Sequence, residues 1–325
     1  MINIEKIFTR EVIVDTLRGL PAIATPLIDG IYKNKKQHPF AYIGIEEIKK
    51  IINNVPVVRR GSTAYRVEGE GTDVSFIEPQ PIEIEDFVSA KDINDIKMFK
   101  PEDDKVWIEN KIDTLRQNVR ATCEALAAQS LLGKITYPMK MATGYGDYSV
   151  TFGTPLTETC SKKWDVSTTK ISDILEHLIK MQDAIKKKSI FGGQIVIKAG
   201  SKAFMKLADY VINMTNDSRI NATVTESNII FAGFRVELHS QTYYNLKTKE
   251  QVSQVADNKI VMIATDAPHT LYYTAIDDIE AGLQALPLWI TTELSKNPSG
   301  MRLFGKSKPL PVPVVNAICW SEVTS

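Results

Sequence analysis

The chain has 325 residues, 43% hydrophobic and 24% charged, an ordinary globular composition with enough length for a large core. Lys plus Arg and Asp plus Glu are 39 each, so the basic excess of a phosphate-neutralising nucleic-acid binder is absent. Three cysteines without a CxxC pair, a charged N-terminus without an apolar core, and no apolar run near 20 residues argue against secreted and membrane classes. The expectation is a soluble protein made in a reducing cytosol, and near-zero net charge permits close packing of copies.

Residues 1 to about 40 read as an arm. EKIFTREVIVDTL suits a short helix, Pro21 and Pro26 interrupt the chain beyond it, and KNKKQHP at 33–39 reads as a polar, exposed connection. Residues 41 to 88 read as strands. Ala64 to Glu68 alternates, GEGT at 69–72 breaks the run, and Val74 to Phe76 alternates again, a hairpin signal. Pro79 and Pro81 keep its exit strand out of a sheet interior. A two-stranded ribbon is marginal alone in water. It lies either on a neighbouring copy or back on its own core, and pattern alone does not choose.

The dominant stretch is 103–133, DDKVWIENKIDTLRQNVRATCEALAAQSLLG. Ile108, Ile112, Leu115, Val119 and Leu126, with Thr122 in the gap, form one narrow helical stripe. Asp103 and Asp104 suit the start and Gly133 suits a left-handed end. Such a helix reads as a long bar across a sheet, with polar outer faces and no chemistry on it.

TGYGD at 143–147 reads as the turn of a second hairpin within 135–155, not as a phosphate loop, since no helix with Lys-Ser/Thr comes after it. From Ser167 an amphipathic helix turns Ile171, Ile174, Leu175, Leu178 and Ile185 inward and ends in Lys186–Lys188. A strand at 194–197, a helix at 202–214 and strands at 228–236 and 259–264 make 160–308 a compact α/β or α+β section. Pro309, Pro311 and Pro313 precede a last strand, 314–323, expected to rejoin an early sheet and leave 160–308 as an insertion.

Chemistry is scarce. His38, His177, His239 and His269 show no zinc spacing, and there is no GxSxG, Walker loop or dinucleotide fingerprint. His177 reads as a structural helix residue. Asp266 and His269 in DAPHT form the one stageable acid–base pair, yet both residues also suit an ordinary turn. Asp277, Asp278 and Glu280 read as an acidic helix start rather than metal ligands. No catalytic residue, cofactor or metal is expected.

Three features together resemble a known family. LPLWITTELSKNPSGMRLFGKSKPLPVPVVNAICWSEV carries a Trp segment, a polar turn with Pro and a Pro-containing final strand. PVVRRGSTAYRVEGEG followed by FIEPQPIEI carries an Arg-Gly segment before a loop with a Pro-containing exit. The order arm, hairpin, long helix, hairpin, inserted section, closing strand completes the likeness. The chain resembles the phage lambda-type major capsid protein (capsid protein E family), with its Hong Kong 97-type shell fold.

The resemblance implies an α+β chain with an N-terminal arm at 1–40 and an extended β-hairpin loop region at 41–100. A peripheral domain with a long spine helix would take 101–159 and 309–325, and an axial domain 160–308. It places the hairpin on a neighbouring subunit. It further implies hexamers and pentamers of an icosahedral shell that encloses double-stranded DNA, in the virion, after assembly in the bacterial host cytoplasm. A portal protein, a separate scaffold and, as an optional addition, a decoration protein are the other partners implied. Alternating charge makes Arg59 and Arg60 at the loop root and Glu68 and Glu70 at its tip the candidate inter-subunit ion-pair residues. The alternatives are an encapsulin-like nanocompartment or gene-transfer-particle shell, and, further off, an enzyme using Asp266 and His269.

Overall fold

A computed structural model describes residues 8–44, 76–96, 101–213 and 222–325. The long helix is present as Pro101–Ser130, about 45 Å at 1.5 Å per residue. Ile112, Leu115, Val119 and Leu126 are buried along it. Asp113 binds Arg116 and Gln117 within the next turn, which supports the helix from its own side chains. Past Ser130, Gly133 takes φ +78 and donates its amide to the Ser130 carbonyl at 2.8 Å.

The helix is not narrowly striped along its whole length. From Cys123 to Leu131 every residue is buried. The reason is size: Ala125, Ala127 and Ala128 let neighbouring elements close in on all sides, and an alanine face does not mark itself as polar or apolar in a spacing pattern. Three clusters meet the bar, one on its first half and two on different sides of its second. Ile112 and Leu115 pack with Phe8, Ile13, Val88 and Leu303. Leu126 packs with Ile43, Ile135, Tyr148 and Leu310. Cys123, Ala127 and Leu131 pack with Ile28, Tyr32, Val261 and Ile318.

A seven-stranded mixed sheet runs in the order 156–157, 318–322, 259–264, 195–199, 234–238, 228–231, 222–224. Helices Ile171–Lys188 and Ser201–Asn213 cover one face through Ile174, Leu178, Met181, Phe204 and Leu207. The end of the long helix covers Val261, Ile263 and Ile318 on the other face. A three-stranded antiparallel sheet has Ser299–Ser307 between Trp289–Lys296 and Ile82–Ser89. A further sheet places Thr270–Thr274 between Asn34–His38, parallel, and Pro309–Val312, antiparallel.

Two expectations change here. The polar stretch 33–39 is not merely a connection, because Asn34–His38 is an edge strand on Thr270–Thr274. Its lysines face water while its backbone is paired, which is how an edge strand avoids recruiting another chain. The last strand, Ile318–Glu322, does not rejoin an early sheet. It pairs with Lys259–Ala264 on one side and Leu156–Thr157 on the other. Both its faces are buried: Ile318 and Trp320 meet the long helix, while Cys319 and Val323 meet the core under Ile171–Lys188. Within the section 160–308, Trp289–Lys296 pairs with Ser299–Ser307, which in turn pairs with Ile82–Ser89.

The hairpin after the long helix has strands Lys134–Lys140 and Tyr145–Thr151. Its turn is at 141–144, two residues earlier than expected, because Gly144 (φ +81) takes the left-handed position and Tyr145 is already paired. Among the described residues no helix is long and apolar enough to cross a membrane.

Candidate assembly surfaces

The proposed ion-pair residues Arg59, Arg60, Glu68 and Glu70, and the hairpin that carries them, lie outside the described residues. The residues on either side of the 45–75 segment are described. Ile43–Gly44 pairs antiparallel with Phe76–Ile77, so the ends of the 45–75 segment are held side by side. Ile43, fully buried, packs with Leu126, Ile135 and Tyr148 and fastens this pair of strands to the long helix and its adjoining hairpin. Phe40, Tyr42 and Phe76 are exposed at 69%, 50% and 62%.

Close by, the strand Ile82–Ser89 and the long helix leave a hollow of about 540 Å³, with Ile84, Trp107 and Leu115 among its walls. The ion pair Lys111–Asp86 (2.9 Å) lies at it. A second hollow of about 510 Å³ lies between the N-terminal segment and the long helix, lined by Leu17, Ile23, Arg120, Tyr273 and Leu288. That segment is tied down by charge: Arg116 donates to the Pro21 carbonyl, and Arg120 to the Ile23 carbonyl and to Thr25 and Asp29.

The acid–base pair does not assemble. His269 is 1% exposed. Its Nδ1 accepts the Val314 amide at 3.1 Å and its Nε2 faces the Ala264 carbonyl at 3.1 Å, which assigns the neutral tautomer with hydrogen on Nε2. Burial pushes its pKa down to about 4. Asp266 accepts the amides of Gly192 (3.1 Å) and Gly193 (2.9 Å). Each side chain brackets a loop, and neither is left with an oriented proton to transfer. His177 likewise sits buried against the Ser321 hydroxyl at 2.9 Å, with burial lowering its pKa to about 4. Asp277 and Asp278 belong to a loop rather than a helix start, with lysine partners at 3.0 Å. Among the described residues no group of His, Cys, Asp and Glu is arranged to hold a metal.

Some organising residues gave no sequence signal. Glu124, on the long helix, is buried and accepts the amides of Leu27 (2.7 Å) and Ile28 (3.1 Å), capping the short helix Pro26–Gly30. Burial raises its pKa, with the two amides opposing. Gln129 accepts the Thr136 amide at 2.8 Å and donates to the Tyr243 hydroxyl at 2.9 Å, joining the long helix to the hairpin that comes after it and to the antiparallel pair Thr242–Asn245 and Glu250–Ser253. Nearly a hundred residues separate Glu124 from its partners, so no local pattern marks it.

The described surfaces thus offer exposed aromatics and two hollows beside the long helix. Similarity to known proteins agrees with that picture. The family model for phage major capsid protein E matches residues 9–322. The putative capsid protein of a prophage of E. coli CFT073 is similar at TM-score 0.62 and 14% identity, covering 97% of this chain and 99% of that chain. A phage-related protein from Bordetella bronchiseptica RB50 is similar at TM-score 0.55 and 11% identity, covering 96% of each chain. The capsid of a native GTA particle is similar at TM-score 0.50 and 10% identity, covering 94% of this chain and 92% of that chain. No curated protein matches. The α+β fold is that of phage capsid proteins, and the chain belongs to the phage major capsid protein E family.

Proposed function

We propose that this chain builds the icosahedral head of a tailed double-stranded DNA phage or prophage, as hexamers and pentamers of itself. The match of one capsid family model to residues 9–322 carries the reading, because it spans nearly the whole chain. Assembly takes place in the host cytoplasm on a separate scaffold and around a portal, and the closed shell takes in DNA without reading its sequence. A decoration protein is an optional addition. The chain acts by association and not by turnover, which fits the engaged hydrogen bonds of Asp266 and His269.

In this reading residues 1–40 are the arm and 41–100 carry the extended loop, rising from the paired root at Ile43–Gly44 and Phe76–Ile77. The peripheral domain takes 101–159 and 309–325, built around the long helix, and the axial domain takes 160–308, with most strands of the seven-stranded sheet. The loop lies on a neighbouring subunit, where Arg59, Arg60, Glu68 and Glu70 make ion pairs. Many weak contacts suffice, since closure of a shell multiplies them.

Negative-stain microscopy and sedimentation of the purified protein, alone and with its scaffold, test the proposal. Closed shells, tubes or hexamer rings are expected. A monomer or dimer that stays so with scaffold present would overturn it. The similarity to a GTA capsid keeps a gene-transfer shell as the second reading. The length and origin of nuclease-protected DNA in the particles separates the two.

A further inference from the structure

Residues 276–284 form a loop closed at its neck by a bridge between Ala275 and Ala285. It is braced from within. Ile276 donates its amide to the Gln284 carbonyl, Leu283 to that of Asp278 and Gly282 to that of Ile279, at 3.0–3.1 Å, while the Ala281 amide binds the Asp278 carboxylate at 3.0 Å. It is also held from outside. Lys306 binds Asp278 and Lys308 binds Asp277, each at 3.0 Å, and the Thr291 hydroxyl donates to Glu280 at 2.7 Å. The Lys308 side chain is 2% exposed, so a buried cation is committed to anchoring an exposed loop.

These braces hold out two apolar side chains, Ile279 at 90% exposure and Leu283 at 57%. Leu283 also has φ +54, where glycine or asparagine sits with less strain. Single exposed apolar residues are unremarkable on a soluble surface. An exposed isoleucine and a strained, exposed leucine four positions apart on a pinned loop are different, because neither serves the core beneath them.

We propose that Ile279 and Leu283 form an apolar wedge that is buried against a second copy of this chain. The inference rests on the shell-forming reading above. A chain that assembles with itself draws its contact energy from apolar surface left uncovered on the folded subunit. A loop already fixed in place loses little further freedom on docking. Asp277 and Glu280 beside the wedge favour a facing patch that is apolar at its centre and rimmed by cations or amide donors.

The test uses full-length Leu283→Gly and Ile279→Asp beside the unchanged protein, with scaffold present. Leu283→Gly relieves the backbone strain, so the melting temperature of the unassembled subunit stays equal or rises. The concentration at which shells form rises by roughly tenfold or more in each variant. Opposite movement of subunit stability and assembly in Leu283→Gly is the signature of a contact between copies. If the unchanged protein forms shells and both variants do so at the same concentration, the wedge is overturned and the function stands. Normal shells that fail to take up another virion protein would assign the wedge to that protein and overturn the second-copy partner. No shells from the unchanged protein would overturn the function and the wedge together.

Discussion

Gly133 and Gly144 share nearly the same backbone, φ +78 and +81, and differ in what surrounds them. A Cβ on Gly133 would lie 2.1 Å from the Gly153 carbonyl oxygen and 2.8 Å from Pro155 Cδ, whereas nothing lies within 4 Å of one on Gly144. Gly144→Ala therefore carries only the left-handed strain of an L-residue, about 1–2 kcal/mol. Gly133→Ala carries that and must also push Gly153 away. The push disturbs the bonds that the Phe152 and Gly153 amides make to the Gly133 carbonyl, at 2.8 and 3.3 Å. At about 1 kcal/mol net for each bond, the total is roughly 3–4 kcal/mol. For a chain of this length that is a fall in melting temperature of about 5 °C, against about 2 °C for Gly144→Ala. Thermal melts of the unassembled subunit, read at one scan rate, compare the two directly. Equal shifts in the two variants would refute the argument, since they would mean that the junction between the long helix and its hairpin yields freely.

Three further outcomes are expected. Glu124→Ala leaves the buried amides of Leu27 and Ile28 without their acceptor and destabilises the subunit by about 3 kcal/mol; urea melts measure this, and Glu124→Gln, which keeps one acceptor oxygen, falls between. Stability drops on acidification from pH 6.5 towards 4, because unfolded His177 and His269 take up protons there while the folded imidazoles, lowered to about 4, do not. Carboxylates with lowered pKa, such as Asp29 and Asp278, lose their contribution below that window, and Glu124, raised, acts in the opposite sense. His177→Gln flattens the slope of a melt series across this range, and an unchanged slope would count against the assignment. Reversing the charge of Glu68 and Glu70 together lowers shell yield while leaving the subunit melt in place; unchanged yield would remove the ion-pair role.

What was legible in the sequence was periodic and local. The long helix showed because Ile112, Leu115, Val119 and Leu126 recur at helical spacing, and the strand Lys259–Ala264 because it is a short apolar run. The second hairpin showed through its Gly-containing turn, displaced by two residues because either of two nearby glycines suited the left-handed position. What stayed hidden depends on partners distant in the chain. The edge strand Asn34–His38 has the composition of a loop, since only its backbone is engaged. Glu124 looks like one more charge on a wet helix face until Leu27 and Ile28 arrive. Asp266 and His269 looked stageable because proximity in sequence gives no direction to a side chain, and each is turned to a different backbone.

The placement of Ile318–Glu322 between Leu156–Thr157 and Lys259–Ala264 has a consequence in time. A ribosome adding roughly 5–20 residues per second needs on the order of ten to thirty seconds between those first and last strands. Until then Lys259–Ala264 keeps an open edge, and Val261 and Ile263 lack the cover that Ile318 and Trp320 complete. The seven-stranded sheet is therefore completed only when Ile318–Glu322 arrives, and a chain short of it keeps both a strand edge and apolar surface open.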